Sequence, residues 1–407
     1  MANKKKNDSQ PSLRPTTKMV HGSNIGTRRA GPLLPSETHS AVFTYPNSKE
    51  LSRLQKEASL GRPIPFEEYG RYGSPGIQAI EAKLAFLMKA ERAALFSSGM
   101  AAITTLFFTL LNRDDHVIHT HDIYRRTRQF IHETLGRYGI RATQVPVNEI
   151  RALEIAFIPG KTKCIFVETP SNPYLRVTSL SHLSEFAKAH GLITIIDNTF
   201  ATPVNQQPHE LGIDYVVQSA TKYLNGHHDV IGGLVSGPEE GVGNVIRNRG
   251  ILGGVLDPRA ASLLSRGLKT LWLRVSHQNN SAMQIAEFLE SHEAVSKVWY
   301  PGLKSHPDYA IAGREMNGFG GVVSFEIRGG KQETKIFLDR LKIPYIATSL
   351  GGLETLIEVP ALFTEHSLTE SQRQGLGFKD NFLRLAIGIE DPLDLIDDLR
   401  QSLEHLL

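Results

Sequence analysis

Short, continuous apolar runs recur through the first half of the chain: AALF at 93–96, HVIHT at 116–120, KCIFVE at 163–168, LITIID at 192–197 and DYVVQSAT at 214–221. IRATQVP at 140–146 adds a weaker one. Between these runs the spacing turns helical. PGIQAIEAKLAFLMKAE places apolar residues at 77, 80, 84 and 87 behind a proline suited to a first turn. Further helices are predicted over 100–111, 124–138 and 179–190. Strands that alternate with helices, and are apolar throughout, predict a parallel sheet covered on both faces. Such a sheet binds ligands beyond the carboxyl ends of its strands, where Glu168, Asp197 and Lys222 fall.

The flanking regions read differently. Residues 1–45 are polar and rich in Pro, Ser and Arg, predicting an extended arm, with a short helix over 48–60. GRPIPFEEYGRYGSPG at 61–76 is a loop, and regular structure is expected from Pro75. A long helix, broken at most once, should start near 259 and lead into an α+β region containing VSKVWYP, GGVVSFEI, FLRLAIG and a closing helix over 392–407. A length of 407 residues suits two domains.

Charge changes the picture only locally. The net charge of +3 conceals a +4 segment at residues 1–18, where Lys4, Lys5, Lys6, Arg14 and Lys18 face Asp8 alone. The rest of the chain sums to −1. A nucleic-acid partner is therefore not expected, and the basic segment reads as a disordered tail. The single cysteine, Cys164, forbids an internal disulfide and suits a cytoplasmic setting; inside an apolar strand it reads as a buried small side chain, not a nucleophile. No apolar run reaches membrane-spanning length, and no apolar stretch follows the basic start as a secretory signal requires.

SATKYLNGHHD at 219–229 is the densest chemical signal. A lysine at a strand end, flanked by Ser219, Thr221 and Asn225, can be desolvated, lowered in pKa and made reactive towards an aldehyde. An aspartate on a neighbouring strand end, Asp197, can face a ring nitrogen. Pyridoxal phosphate needs both groups. Ser98-Gly99-Met100 opens a predicted helix, whose free N–H groups and positive end favour a phosphate. Ser219 and Thr221 alternate on one expected strand face, and Tyr69 and Arg71 alternate in an extended loop.

With these residues in view the sequence resembles the pyridoxal-phosphate enzymes of cysteine and methionine metabolism, the transsulfuration family of cystathionine γ-synthases, cystathionine lyases and methionine γ-lyases. ETPSNPYLRV at 168–177, DNTFATP at 197–203, SATKYLNGHHDVIGG at 219–233, RGLKTLWLR at 266–274, SLGGLETL at 349–356 and RLAIGIED at 384–391 carry the likeness, which runs from about residue 20 to 407. It implies an α/β, aminotransferase-like fold (fold type I), with a mostly parallel sheet and a smaller α+β C-terminal domain. The division implied is an arm at 1–73 reaching a neighbouring subunit, a cofactor domain at 74–265 and a C-terminal domain at 266–407.

By the same resemblance Lys222 is the cofactor-bearing catalytic lysine, and Asp197 the partner of the ring nitrogen. Tyr124 stacks on the ring and takes part in proton transfer, while Asn172 meets the ring hydroxyl and the substrate. Ser98, Gly99, Met100, Ser219 and Thr221 hold the phosphate, joined by Tyr69 and Arg71 of the neighbour. Ser349 lies near the lysine and substrate, and Arg384 grips the substrate α-carboxylate. A small amino-acid substrate and a homotetramer are implied, with γ-replacement on an activated homoserine ahead of C–S lysis. Arg125, Arg126, Gln129, Thr348 and Glu365 depart from the pattern of many relatives where side-chain recognition occurs.

Other chemistries fit less well. His116, His119, His121, His227 and His228 lack the spacing of a metal hydrolase, so no metal is expected. GVG at 241–243 lacks the third glycine and the preceding strand of a dinucleotide site. A non-catalytic binding protein would have to lose Lys222 or Asp197, and both are present.

Overall fold

The computed structural model describes residues 13–22, 33–59, 68–363 and 379–407. Lys4–Lys6, Asp8, Thr364 and Glu365 lie outside the described residues. Seven strands form one sheet: β1 Arg92–Phe96, β2 His116–Thr120, β3 Arg141–Val145, β4 Thr162–Glu168, β5 Ile193–Asp197, β6 Tyr215–Ser219 and β7 Gly233–Gly237. Their order is β1-β7-β6-β5-β4-β2-β3. From β6 to β3 every pairing is parallel, whereas β7 runs antiparallel to both of its neighbours.

The continuous apolar runs are explained by two-sided burial. On β4, Cys164 and Phe166 face one core with Ile103, Leu106 and Phe107 of the helix Gly99–Leu110. Ile165 and Val167 face the opposite core with Leu180, Leu183 and Phe186 of the helix Leu180–His190. Each such fully buried side chain contributes about 1.5–3 kcal/mol.

A second sheet holds β8 Val295–Trp299, β9 Val322–Ile327, β10 Tyr345–Ile346, β11 Leu356–Glu358 and β12 Phe382–Ala386, in the order β10-β11-β12-β9-β8. The long helix does break once. Pro258–Leu268 is capped by Asp257 and stops at Lys269-Thr270, and Leu271–Ser291 follows. The latter joins the two sheets: Leu271 and Val275 sit in the core beneath Lys222's strand end, Ile285 and Leu289 in the core of the second sheet.

Four expectations are corrected. The arm contains a helix, Pro15–His21, whose Met19 is buried against the core; seven residues between two breakers were too short to read. Regular structure therefore precedes Pro75. The helix expected over 124–138 begins at Arg125 and widens to a π-helix over Phe130–Leu135, which brings His132 to within 2.8 Å of His119. Strand β6 ends at Ser219, because its antiparallel partner begins opposite, at Gly233. Thr221 thus lies in the following turn, not two places along a strand face.

Near the sheet's β1 edge an ion pair is buried. Arg249 Nη1 lies 2.6 Å from Glu81 Oε1 and 2.6 Å from the Leu95 carbonyl, and Glu81 also accepts from the Leu95 amide at 2.8 Å. Glu81→Ala leaves Arg249, 2% exposed, without its counter-ion. A loss of about 3–5 kcal/mol is expected, read as a lower urea midpoint against wild type.

Candidate active site

Parallel register carries three polar residues to one line. Glu168 at the end of β4 pairs with Asp197 at the end of β5, and β6 beside it ends on Ser219. Thr199 links the last two. Its amide and hydroxyl donate to Asp197 Oδ1 at 3.1 and 2.5 Å, and its hydroxyl accepts from the Ser219 amide at 2.9 Å. Burial, partly opposed by Thr199, pushes the Asp197 carboxyl up to about 6. Burial beside Asp197 raises Glu168 well above the usual carboxylate range.

Glu168 is spent on positioning. Its Oε2 accepts the Tyr124 amide at 2.6 Å, and its carboxylate also accepts the Asn172 amide. Two loops are thereby fixed at the Asp197 end of the sheet. Tyr124 stands at the start of the helix Arg125–Gln129 and is 45% exposed, so it does not pack into the core.

Ser98 caps the helix Gly99–Leu110, its hydroxyl accepting from Ala101 at 3.0 Å. The Gly99 and Met100 amides remain at the helix start. A Cβ placed on Gly99 would sit 3.3 Å from the Ser219 Cβ, so the strand end and the helix start form one small cradle. Thr221 turns aside: its hydroxyl exchanges hydrogen bonds with Gly232.

Lys222 follows β6 in a tight turn. Gly226 has φ +76, and a Cβ there would strike the Arg274 guanidinium at 2.0 Å. Arg274 is buried and donates to the Tyr223 and Gly267 carbonyls at 2.9 Å each, clamping the turn from the long helix. The lysine's Nζ donates to Ser349 Oγ at 2.6 Å. Desolvation, with Arg384 adding and Glu358 opposing, lowers Lys222 to about 8. Ser349 has φ +96, a conformation disfavoured for any residue with a Cβ, and it is held from the other side by Arg384, whose Nη2 donates to its carbonyl at 2.9 Å. Arg384 Nη1 donates to Asn172 Oδ1 at 2.9 Å. Lys222, Ser349, Arg384 and Asn172 are therefore one bonded unit.

Tyr69 and Arg71 do not join it. Arg71 lies over the Tyr69 and Tyr72 rings and donates to the Gly250 carbonyl, on the arm side of the helix Glu239–Leu252. Among the departing residues, Arg126 bonds Gln129, which in turn bonds Glu133 along its own helix, while Thr348 is exposed. Among the described residues no group of three or more His, Cys, Asp or Glu side chains is placed to hold a metal. No helix there is long and apolar enough to cross a membrane.

Sequence reading assigned no role to Thr199, Arg274 or Glu358, and noted Glu168 only by its place. Thr199 and Arg274 sat within quoted motifs, but Thr199 also bonds Ser219, 20 residues on, and Arg274 bonds Tyr223, 51 residues back. Glu358 lies on a three-residue strand that leaves no readable pattern.

The donor set suits pyridoxal phosphate: a desolvated amine for its aldehyde, a buried carboxyl for its ring nitrogen and a helix start with a glycine cradle for its phosphate. Fold and site together place the chain among the pyridoxal-phosphate enzymes of aminotransferase-like fold. It belongs to the family described as Cys/Met metabolism PLP-dependent enzyme, whose model matches residues 16–404. The chain is 45% identical over 339 residues to the chloroplastic cystathionine gamma-synthase 1 of Nicotiana tabacum, covering 83% of this chain and 63% of that protein. It is 40% identical over 395 residues to cystathionine gamma-lyase of Bacillus subtilis, covering 97% of this chain and all of the relative. The crystal structure of metB from Corynebacterium glutamicum superposes with a TM-score of 0.88 at 35% identity, over 97% of this chain and 99% of that one.

Asp197→Asn tests the strain of the buried carboxyl. Its folded pKa lies above the unfolded one, so protonation favours the fold and stability is lost as pH rises from about 4 through 6. The Asn variant keeps the oxygen that Thr199 needs and lacks that loss. Thermal melts of the cofactor-free proteins should coincide near pH 4 and separate above pH 6, the variant melting higher.

Proposed function

We propose that the chain catalyses replacement at the γ-carbon of an activated homoserine by a thiol, on an α-amino acid held between Lys222 and Arg384. One observation carries the amino-acid part: Ser349 bonds the reactive amine through its hydroxyl and the guanidinium through its carbonyl. The amine that would bear the cofactor's aldehyde, where a substrate amine reacts, and a carboxylate-binding group are thus one residue apart. The likeness to cystathionine gamma-synthase supports replacement. The likeness to cystathionine gamma-lyase supports the second reading, C–S lysis.

When bound, pyridoxal phosphate supplies an aldehyde for the amine and a cationic ring that draws electrons from the α-carbon. Lys222 would hold its aldehyde carbon and Asp197 would face its ring nitrogen and favour the protonated form. Asn172 would meet the ring hydroxyl, and Tyr124 would lie against the ring. The Gly99 and Met100 amides, with Ser98 and Ser219, would receive the phosphate, and Thr221 would join them by giving up its bond to the Gly232 carbonyl. Lys222 would also move protons at Cα and Cβ, a task suited to an amine lowered to about 8. Arg384 takes the α-carboxylate as a charge-assisted pair.

Tyr69 and Arg71 are assigned to the phosphate of a neighbouring copy, since their own-chain contacts lie away from Lys222. That assignment favours a homotetramer of paired dimers. We keep the arm at 1–73, the cofactor domain at 74–265 and the C-terminal domain at 266–407, a division supported by the separate seven- and five-stranded sheets. The lone buried Cys164 supports a cytoplasmic setting.

Incubation of the purified protein with an O-acyl-homoserine and a thiol should yield the thioether and free acid. Keto acid and ammonia with no thioether would exclude replacement in favour of lysis. Lys222→Ala should lower turnover about a thousandfold or more while leaving the secondary structure seen by circular dichroism unchanged.

A further inference from the structure

Behind Arg384 stands a carboxylate to which the proposed reaction gives no role. Glu358 on β11 is the cross-strand neighbour of Arg384 on β12, and its Oε1 lies 3.1 Å from Arg384 Nη2. Both side chains are about 95% buried. Arg384 has two neutral acceptors, Asn172 Oδ1 and the Ser349 carbonyl, and Glu358 is its ion-pair partner. Its Nε is buried and, among the described residues, unpartnered. The guanidinium is thus oriented on one side and keeps a free donor on another.

We propose that Glu358 is a positioning residue that serves as the resident counter-ion of Arg384 and limits how tightly the site holds a substrate α-carboxylate. This rests on reading Arg384 as the carboxylate site. A buried guanidinium with no anion is costly, so the resting site needs one. An arriving carboxylate becomes a second anion on the same guanidinium, and the two repel across it. Burial already raises the Glu358 carboxyl, and Arg384 and Lys222 work against that rise. The ion pair therefore holds Arg384 in place between turnovers and weakens its grip on what it binds, which favours product release.

Glu358→Gln removes the charge and keeps an acceptor of the same shape. The probe is 4-(methylthio)butanoate, which has a carboxylate and no amine, titrated calorimetrically into the cofactor-loaded protein. The variant should bind it about tenfold more tightly than wild type, with affinity for the neutral amide of the same acid unchanged. A merely structural role predicts weaker binding or none. Unchanged or weaker carboxylate binding, in a variant that retains the cofactor's absorbance, overturns the proposal. Should Glu358→Gln fail to retain cofactor, Glu358→Asp, which draws the charge back from Arg384, must still tighten carboxylate binding; no gain there overturns it equally. Arg384→Ala separates the underlying reading: carboxylate binding that survives it shows that Arg384 is not the carboxylate site, whatever Glu358 does.

Discussion

Keeping the amine of Lys222 away from water is the constraint on which the rest of this site depends. A lysine amine in water is protonated and unreactive near neutral pH; partly buried beside a guanidinium, it loses much of its preference for the proton. The surrounding architecture maintains that condition. Ser349 closes over the amine in a backbone conformation unfavourable for serine, Arg274 clamps the turn from below, and Gly226 and Gly351 let backbone and side chains approach where a Cβ would collide. The two sheets meet at this point, with Val322, Leu350 and Ala386 sharing a core with Ala220, Tyr223 and Leu224.

The same condition explains the uneven stability of the site. Asp197 and Glu168 are register partners at adjacent strand ends, so two carboxyls share one buried edge. Isolated, such a pair favours protonation. It is held by Thr199 and by the amides of Tyr124 and Asn172, groups that also orient the loops around the cofactor's place. Poise for a cationic ring and discomfort without one come from the same two carboxyls.

Much of this was legible in the sequence, for identifiable reasons. Strands buried on both faces write themselves as unbroken apolar runs, and a reactive residue at a strand end follows such a run directly, as Asp197 and Lys222 do. Pairings between distant segments leave no such mark. Glu358 meets Arg384 across a three-residue strand, Glu168 meets a backbone amide 44 positions earlier, and Arg274 reaches back 51 positions to Tyr223. Thr221 was misplaced because a period of two along QSAT looks like a strand, while the partner strand that would extend it stops at Gly233. Tyr69 and Arg71 were read as phosphate ligands from their loop alternation and the family likeness; in the single chain they lie beside the helix Glu239–Leu252.

Ser349 gives the site a fixed span. Because one residue bonds the amine through its side chain and the guanidinium through its carbonyl, the gap between the two recognition points is set by a single peptide unit and not by the relative placement of two flexible loops. On the proposed reading, that span suits a substrate whose amine and carboxylate sit on one carbon. In the proposed reaction the strained serine is a molecular ruler for α-amino acids, set before any side-chain pocket is consulted.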